Sequence, residues 1–175
     1  TEAEVEAEAE TETGAGACGF RFAATVRNLY PGEAHVSCRT LAFDHLGTAV
    51  FTGGSNGALH GLDASTGAMV WSARDAHDGV GLNRVSTCLS PSMGAWALLS
   101  GDENGGVKLW DARQDARSGA AAKAPAAHKD FVADFCALND PQTIATCGGD
   151  GTLAVLDVRK LKVRARSEEL DTELL

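Results

Sequence analysis

The chain of 175 residues is poor in most of what marks an enzyme or a membrane address. Aromatic residues make up 6% and there is a single tyrosine. No segment approaches the ~18 consecutive apolar residues of a membrane-spanning helix, and no N-terminal apolar h-region is present, so neither membrane insertion nor secretion is expected. The five cysteines, Cys18, Cys38, Cys88, Cys136 and Cys147, are odd in number and include no C-x-x-C pair, which leaves out a zinc cluster and a disulfide framework. Cys38, Cys88, Cys136 and Cys147 lie in strand-like segments, where free cysteine is expected as a small buried apolar residue. The nearest histidines, His35 and His45, are ten residues apart, so metal-ligand spacing is missing. No metal or cofactor is expected.

Basic residues are missing from residues 1–12, where six glutamates alternate with Ala, Thr or Val. That segment accounts for most of the net charge of −9; the remainder holds 18 acidic against 15 basic residues, a balance of −3. Its low apolar content cannot offset the entropy of ordering, so residues 1–18 are expected to form a disordered acidic tail.

What is present is a repeat. FTGGSNGALHGLD ends at Asp63, LLSGDENGGVKLWD at Asp111 and ATCGGDGTLAVLD at Asp157, spacings of 48 and 46 residues. A period of this length marks a solenoid or a propeller, whose units bury their apolar faces only by stacking. Each unit reads as four short strands. The b and c strands flank Asn56-Gly57, Asn104-Gly105 or Asp150-Gly151, dipeptides suited to a type I′ hairpin with positive φ at both positions. A histidine followed by an apolar a-strand precedes each hairpin: His35, His77 and His128. A d-strand follows the first and third hairpins, whereas residues 112–127 read as an Ala-rich exposed loop with a poor d-strand.

A histidine, then Ser/Thr-Gly, then Asx-Gly, then Trp-Asp at this spacing resembles the WD-repeat β-propeller family. The resemblance implies an all-β fold of about three four-stranded blades belonging to a seven-bladed propeller, the chain being a fragment of it or, as the rival, a short form that closes by self-association. The expected units are the acidic tail (1–18), a remnant of a preceding blade (19–34), and repeats at 35–76, 77–127 and 128–175. In that family His, a b-strand Ser/Thr, a turn Asp and a c-strand Trp form a hydrogen-bonded tetrad within each blade. Carried over, the second repeat supplies His77, Ser100, Asn104 and Trp110. The third supplies His128, Thr146 and Asp150 with Leu156 in place of the indole, and the first His35, Thr52 and Asn56 with Leu62. No repeat is expected to have all four.

Wording around the motifs, CGGDGTLAVLDVRKLKVRARSEELDTELL above all, resembles a branch of the family that works in ribosome biogenesis. This implies a non-catalytic nuclear and nucleolar scaffold, with cytoplasm as the alternative site, whose partners are pre-ribosomal assembly factors and rRNA. Trp110-Asp111-Ala112-Arg113 also resembles the WD-x-R box of propellers that serve as substrate receptors of cullin-RING ubiquitin ligases, with Trp110, Asp111 and Arg113 docking the adaptor.

Two enzyme-like patterns fail on context. GAGACG satisfies G-x-G-x-x-G, yet the acidic tail precedes it and FRFAATV follows, so the strand and helix of a dinucleotide site are missing. Thr146, His128 and Asp150 have the makeup of a hydrolase triad but are the groups the tetrad uses. Neither a small-molecule substrate nor a membrane partner is expected. VRKLKVRAR alternates, placing Lys160, Lys162, Arg164 and Arg166 on one face of a d-strand as either a solubilising edge or a phosphate-contacting stripe for rRNA.

Overall fold

A computed structural model describes residues 5–6, 25–26, 29–30, 35–87, 96–138, 140 and 142–167. The GAGACG segment, Cys18, Cys88 and the closing residues 168–175 lie outside the described residues. β1 (Val5–Glu6) pairs antiparallel with β2 (Thr25–Val26).

Three four-stranded antiparallel meanders form the body. The first blade comprises β3 (Cys38–Phe43), β4 (Ala49–Gly54), β5 (Leu59–Asp63) and β6 (Met69–Ala73). The second comprises β7 (Leu82–Thr87), β8 (Ala97–Asp102), β9 (Val107–Asp111) and the three-residue β10 (Ala122–Ala124). The third comprises β11 (Val132–Ala137), β12 (Thr143–Gly148), β13 (Leu153–Asp157) and β14 (Lys162–Arg166). The poor d-strand of the second repeat is thus β10, reached through a short 3-10 turn at Ala116–Ser118.

Blade stacking follows from the two-residue period of a strand. On β8, Leu98 points into the seam with the first blade and Leu99 into the seam with the third; both are fully buried. Burying each such side chain contributes roughly 1.5–3 kcal/mol, so the middle blade is apolar on both faces because both are covered. Phe51 and Trp71 of the first blade pair edge to face with centroids 6.3 Å apart, and Trp71 meets Trp110 edge to face across the first seam at 6.0 Å. The second seam joins Val107, Val132, Ile144 and Leu156 with a single aromatic, Phe135.

The hairpins differ from the expected type. Gly57, Gly105 and Gly151 have φ of 79°, 79° and 71°, whereas Asn56, Asn104 and Asp150 are not left-handed. Each glycine N–H bonds back to the residue three before it, for example Gly57 N to Gly54 O at 3.2 Å, so these are three-residue loops with a left-handed glycine. Blade packing also requires that glycine. A Cβ at Gly105 would meet His128 O at 2.2 Å, because the turn lies directly against the loop entering the next blade.

Two cysteines correct the burial expectation: Cys38 and Cys136 are exposed and Cys147 is half-buried. Cys136 follows Phe135, which fills the second seam, so alternation turns its thiol to the other face of β11.

Candidate functional site

The tetrad of the second blade is complete, but not with the residues the spacing indicates. The Trp110 Nε1–H donates to Ser100 Oγ at 2.9 Å, and Ser100 Oγ lies 2.7 Å from His77 Nε2. His77 Nδ1 lies 2.6 Å from Asp102 Oδ2. Asn104 is therefore not the acid of this blade. Asp102, two residues earlier and still on β8, reaches the imidazole and also accepts the backbone N–H groups of Asn104 and Gly106 at 2.9 and 2.7 Å. The arrangement suits a neutral imidazole, with Nδ1–H donating to Asp102 and Nε2 accepting from the Ser100 hydroxyl. Burial pulls the His77 pKa down, with nearby Lys108 acting in the same sense, against the opposing pull of Asp102. Asp102 itself is held below the usual carboxylate range: burial would raise it, but His77 and the two N–H groups outweigh that cost.

In the third blade His128 Nε2 lies 2.8 Å from Thr146 Oγ1, and its Nδ1 is shared between Asp150 Oδ1 at 3.2 Å and Thr152 Oγ1 at 3.1 Å. Here the acid comes from the turn, because Gly148 stands where Asp102 stands in the second blade. Leu156 fills the indole position and is fully buried. Thr146 and His128 are 1% and 2% exposed, which leaves no open nucleophile for triad chemistry.

The first blade departs from the pattern. His35 is exposed with φ of 68°. Thr52 instead faces Tyr30, whose ring lies 5.0 Å from that of His60. The Tyr30 and Thr52 hydroxyls are buried without closing a hydrogen bond of ordinary geometry, and burial pushes the Tyr30 phenol up to about 12.

The backbone of each inward histidine ties one blade to the one before: His77 N donates to Gly57 O and His128 N to Gly105 O, both at 3.1 Å. The preceding alanine carbonyl takes a basic side chain. Lys108 Nζ donates to Ala76 O at 2.7 Å and Arg166 Nη2 to Ala127 O at 2.5 Å. Neither role was read from the sequence, although the shared Ala-His dipeptides, Ala76-His77 and Ala127-His128, were a visible signal.

Arg166 also corrects the reading of one basic face. Val163 pairs with Leu156 and Ala165 with Val155, leaving Arg164 as the bulged residue of β14. Lys162 therefore pairs with Asp157, while Arg166 pairs with Ala154 and turns to the opposite face, over the second seam. Arg164 forms an ion pair with Asp157 and donates to Thr143 Oγ1 at 3.2 Å. Lys160 lies in the turn before β14, and of these four basic residues Lys160 and Lys162 form no ion pair among the described residues. At the rim after β9, Arg113 is held by both oxygens of Asp111, at 2.9 and 2.6 Å, with its side chain 67% exposed. Trp110 is buried below it.

Comparison with known proteins agrees with this architecture. The family described as WD domain, G-beta repeat matches residues 66–111. WD repeat-containing protein JIP5 of Coprinopsis cinerea is 36% identical over 141 residues, covering 79% of this chain and 32% of that protein. WD repeat-containing protein 55 of Arabidopsis thaliana is 32% identical over 139 residues, covering 79% of this chain and 36% of that protein. The chain thus spans about a third of the length of the curated relatives it matches. Among solved structures, the WD40 repeats of RRP9 superpose with a TM-score of 0.63 at 14% identity, covering 77% of this chain and 39% of that one. With its repeat motifs, its three four-stranded blades and these relatives in agreement, the chain belongs to the WD-repeat β-propeller family and is similar to WD repeat-containing protein 55.

Proposed function

We propose that this chain is part of a non-catalytic scaffold for protein interactions in ribosome biogenesis and rRNA processing, acting in the nucleolus. The observation that carries the scaffold reading is the use of its chemically versatile groups. His77, Ser100, Asp102, Trp110, His128 and Thr146 are buried and bonded to one another within the blades. What faces outward is loop and rim, the surface from which propellers bind other macromolecules. The relatives named WD repeat-containing protein 55 support the choice of process, as an inference from similarity. Lys160 and Lys162 are the residues to test for rRNA contact. Purifying the endogenous protein from its own cells and identifying its companions by mass spectrometry tests the reading. Pre-ribosomal assembly factors and precursor rRNA are the expected companions; their absence overturns it.

A second reading is favoured by Arg113, whose guanidinium is oriented by Asp111 and exposed at the rim, as a WD-x-R docking contact to a cullin-RING ligase adaptor requires. Recovery of such an adaptor, lost with Arg113→Ala, is the expected result under that reading.

A further inference from the structure

The connection between c- and d-strands is ten residues long in the second blade (112–121), against five in the first (64–68) and four in the third (158–161). Its extra residues are firmly placed. The Trp71 Nε1–H of the first blade donates to Gln114 O at 3.0 Å, and Asp115 accepts the Arg117 N–H at 2.9 Å to cap the 3-10 turn. The connection thereby becomes one wall of a cleft of about 660 Å³ on the outer circumference of the array, between β6, the loop 74–78 and β10. That volume is in the range of ligand sites.

Four cations from separate stretches of chain line this cleft: Arg74, Lys108, Arg117 and Lys123. Lys108 is committed to Ala76 O and to Asp78 at 3.2 Å, and Arg117 to Asp115 at 3.3 Å. Arg74 and Lys123 form no ion pair among the described residues. The lining also includes the small residues Ala73, Ala116 and Ala120, which allow close approach of another backbone. Asp75 and Asp78 also line the cleft, and the Asp78 side chain is 88% exposed. A phosphodiester backbone, charged at every unit, would have to run past both carboxylates. An extended peptide bearing a carboxylate at every second residue can direct its charges to the cations and lay its small side chains on the alanines.

We infer that this cleft binds an acidic peptide in extended form, with glutamates alternating with small apolar residues and carboxylates received by Arg74 and Lys123. Residues 1–12 of the chain have that pattern, which supplies a defined probe.

Isothermal titration of the peptide TEAEVEAEAETE into the full chain tests this. The six tail glutamates of the chain are replaced by glutamine to prevent competition from its own N-terminus. Saturable binding at about 50 mM salt is expected, weakening as salt rises. Arg74→Glu with Lys123→Glu should weaken it about tenfold or more, and the all-Gln peptide should not bind. Arg159→Glu, remote in sequence and outside the cleft lining, should leave the affinity unchanged. No binding, equal affinity in the double variant, or an equal loss with Arg159→Glu overturns the inference. So does an oligouridylate that binds in place of the peptide and is lost in the same double variant, which assigns the cleft to nucleic acid. The milder Arg74→Gln and Lys123→Gln, checked by circular dichroism melting, give the same comparison if the charge reversals disturb folding.

Discussion

His77 Nδ1 lies 2.6 Å from Asp102 Oδ2, so the acid of the second-blade tetrad comes from the end of a strand and not from the turn two residues later. Asp102→Ala should destabilise the chain by about 1–3 kcal/mol or more, because it strips partners from a buried imidazole and from two backbone N–H groups. Asn104→Ala should stay within roughly 0.5 kcal/mol. Urea unfolding of the two variants separates them, and an equal loss would return the role to Asn104.

The same histidine makes stability depend on pH. The native imidazole has a depressed pKa, whereas the unfolded chain takes up this proton near 6.5. Between the two values the unfolded state holds more protons, so stability is full above pH 6.5 and falls as the pH drops through that window. The slope for one group is at most about 1.4 kcal/mol per pH unit. Asp102, also depressed, acts in the same direction at lower pH, its contribution being present above 3.8 and lost as the pH falls toward its native value. Thermal midpoints at descending pH should show this decline, and His77→Gln should flatten its upper part.

Gly105→Ala should open the second seam. The added Cβ would meet His128 O at 2.2 Å and force alanine to a φ of +79°. A cost above about 1 kcal/mol is expected, together with faster hydrogen exchange of the His128 amide, whose acceptor is Gly105 O. Gly47→Ala is the control, since it shares a positive φ of +71° but its Cβ would meet open space.

The basic residues near β14 should divide into two classes. Arg166→Glu should destabilise the chain, because Arg166 donates to Ala127 O within the seam. Lys160→Glu with Lys162→Glu should leave the melting temperature unchanged within about 2 °C while reducing RNA crosslinking, if these two residues contact rRNA. Unchanged crosslinking would remove RNA contact from this strand.

Arg113→Ala should change stability by less than about 0.5 kcal/mol, since an exposed ion pair contributes little, and, if Arg113 docks a ligase adaptor, it should abolish co-purification of that adaptor. Retained co-purification would exclude the WD-x-R docking role.

Much of this protein can be read from its sequence because its determinants are local. The repeat of Asx-Gly turns and closing aspartates and the His-Thr-Asp set of the third blade depend on spacing along one meander. Tertiary structure decided what depends on neighbours in space. Whether Asp102 or Asn104 reaches His77 depends on how the d–a loop descends on β8, and the glycine turns are constrained by the next blade's carbonyl. The bulge at Arg164 reverses Arg166 across the sheet, which a two-residue period cannot foresee. The cleft beside Trp71 exists because a ten-residue connection from one blade is bonded to the blade before it. Period and turn chemistry are properties of a segment, whereas these contacts are chosen by packing between segments distant in the chain.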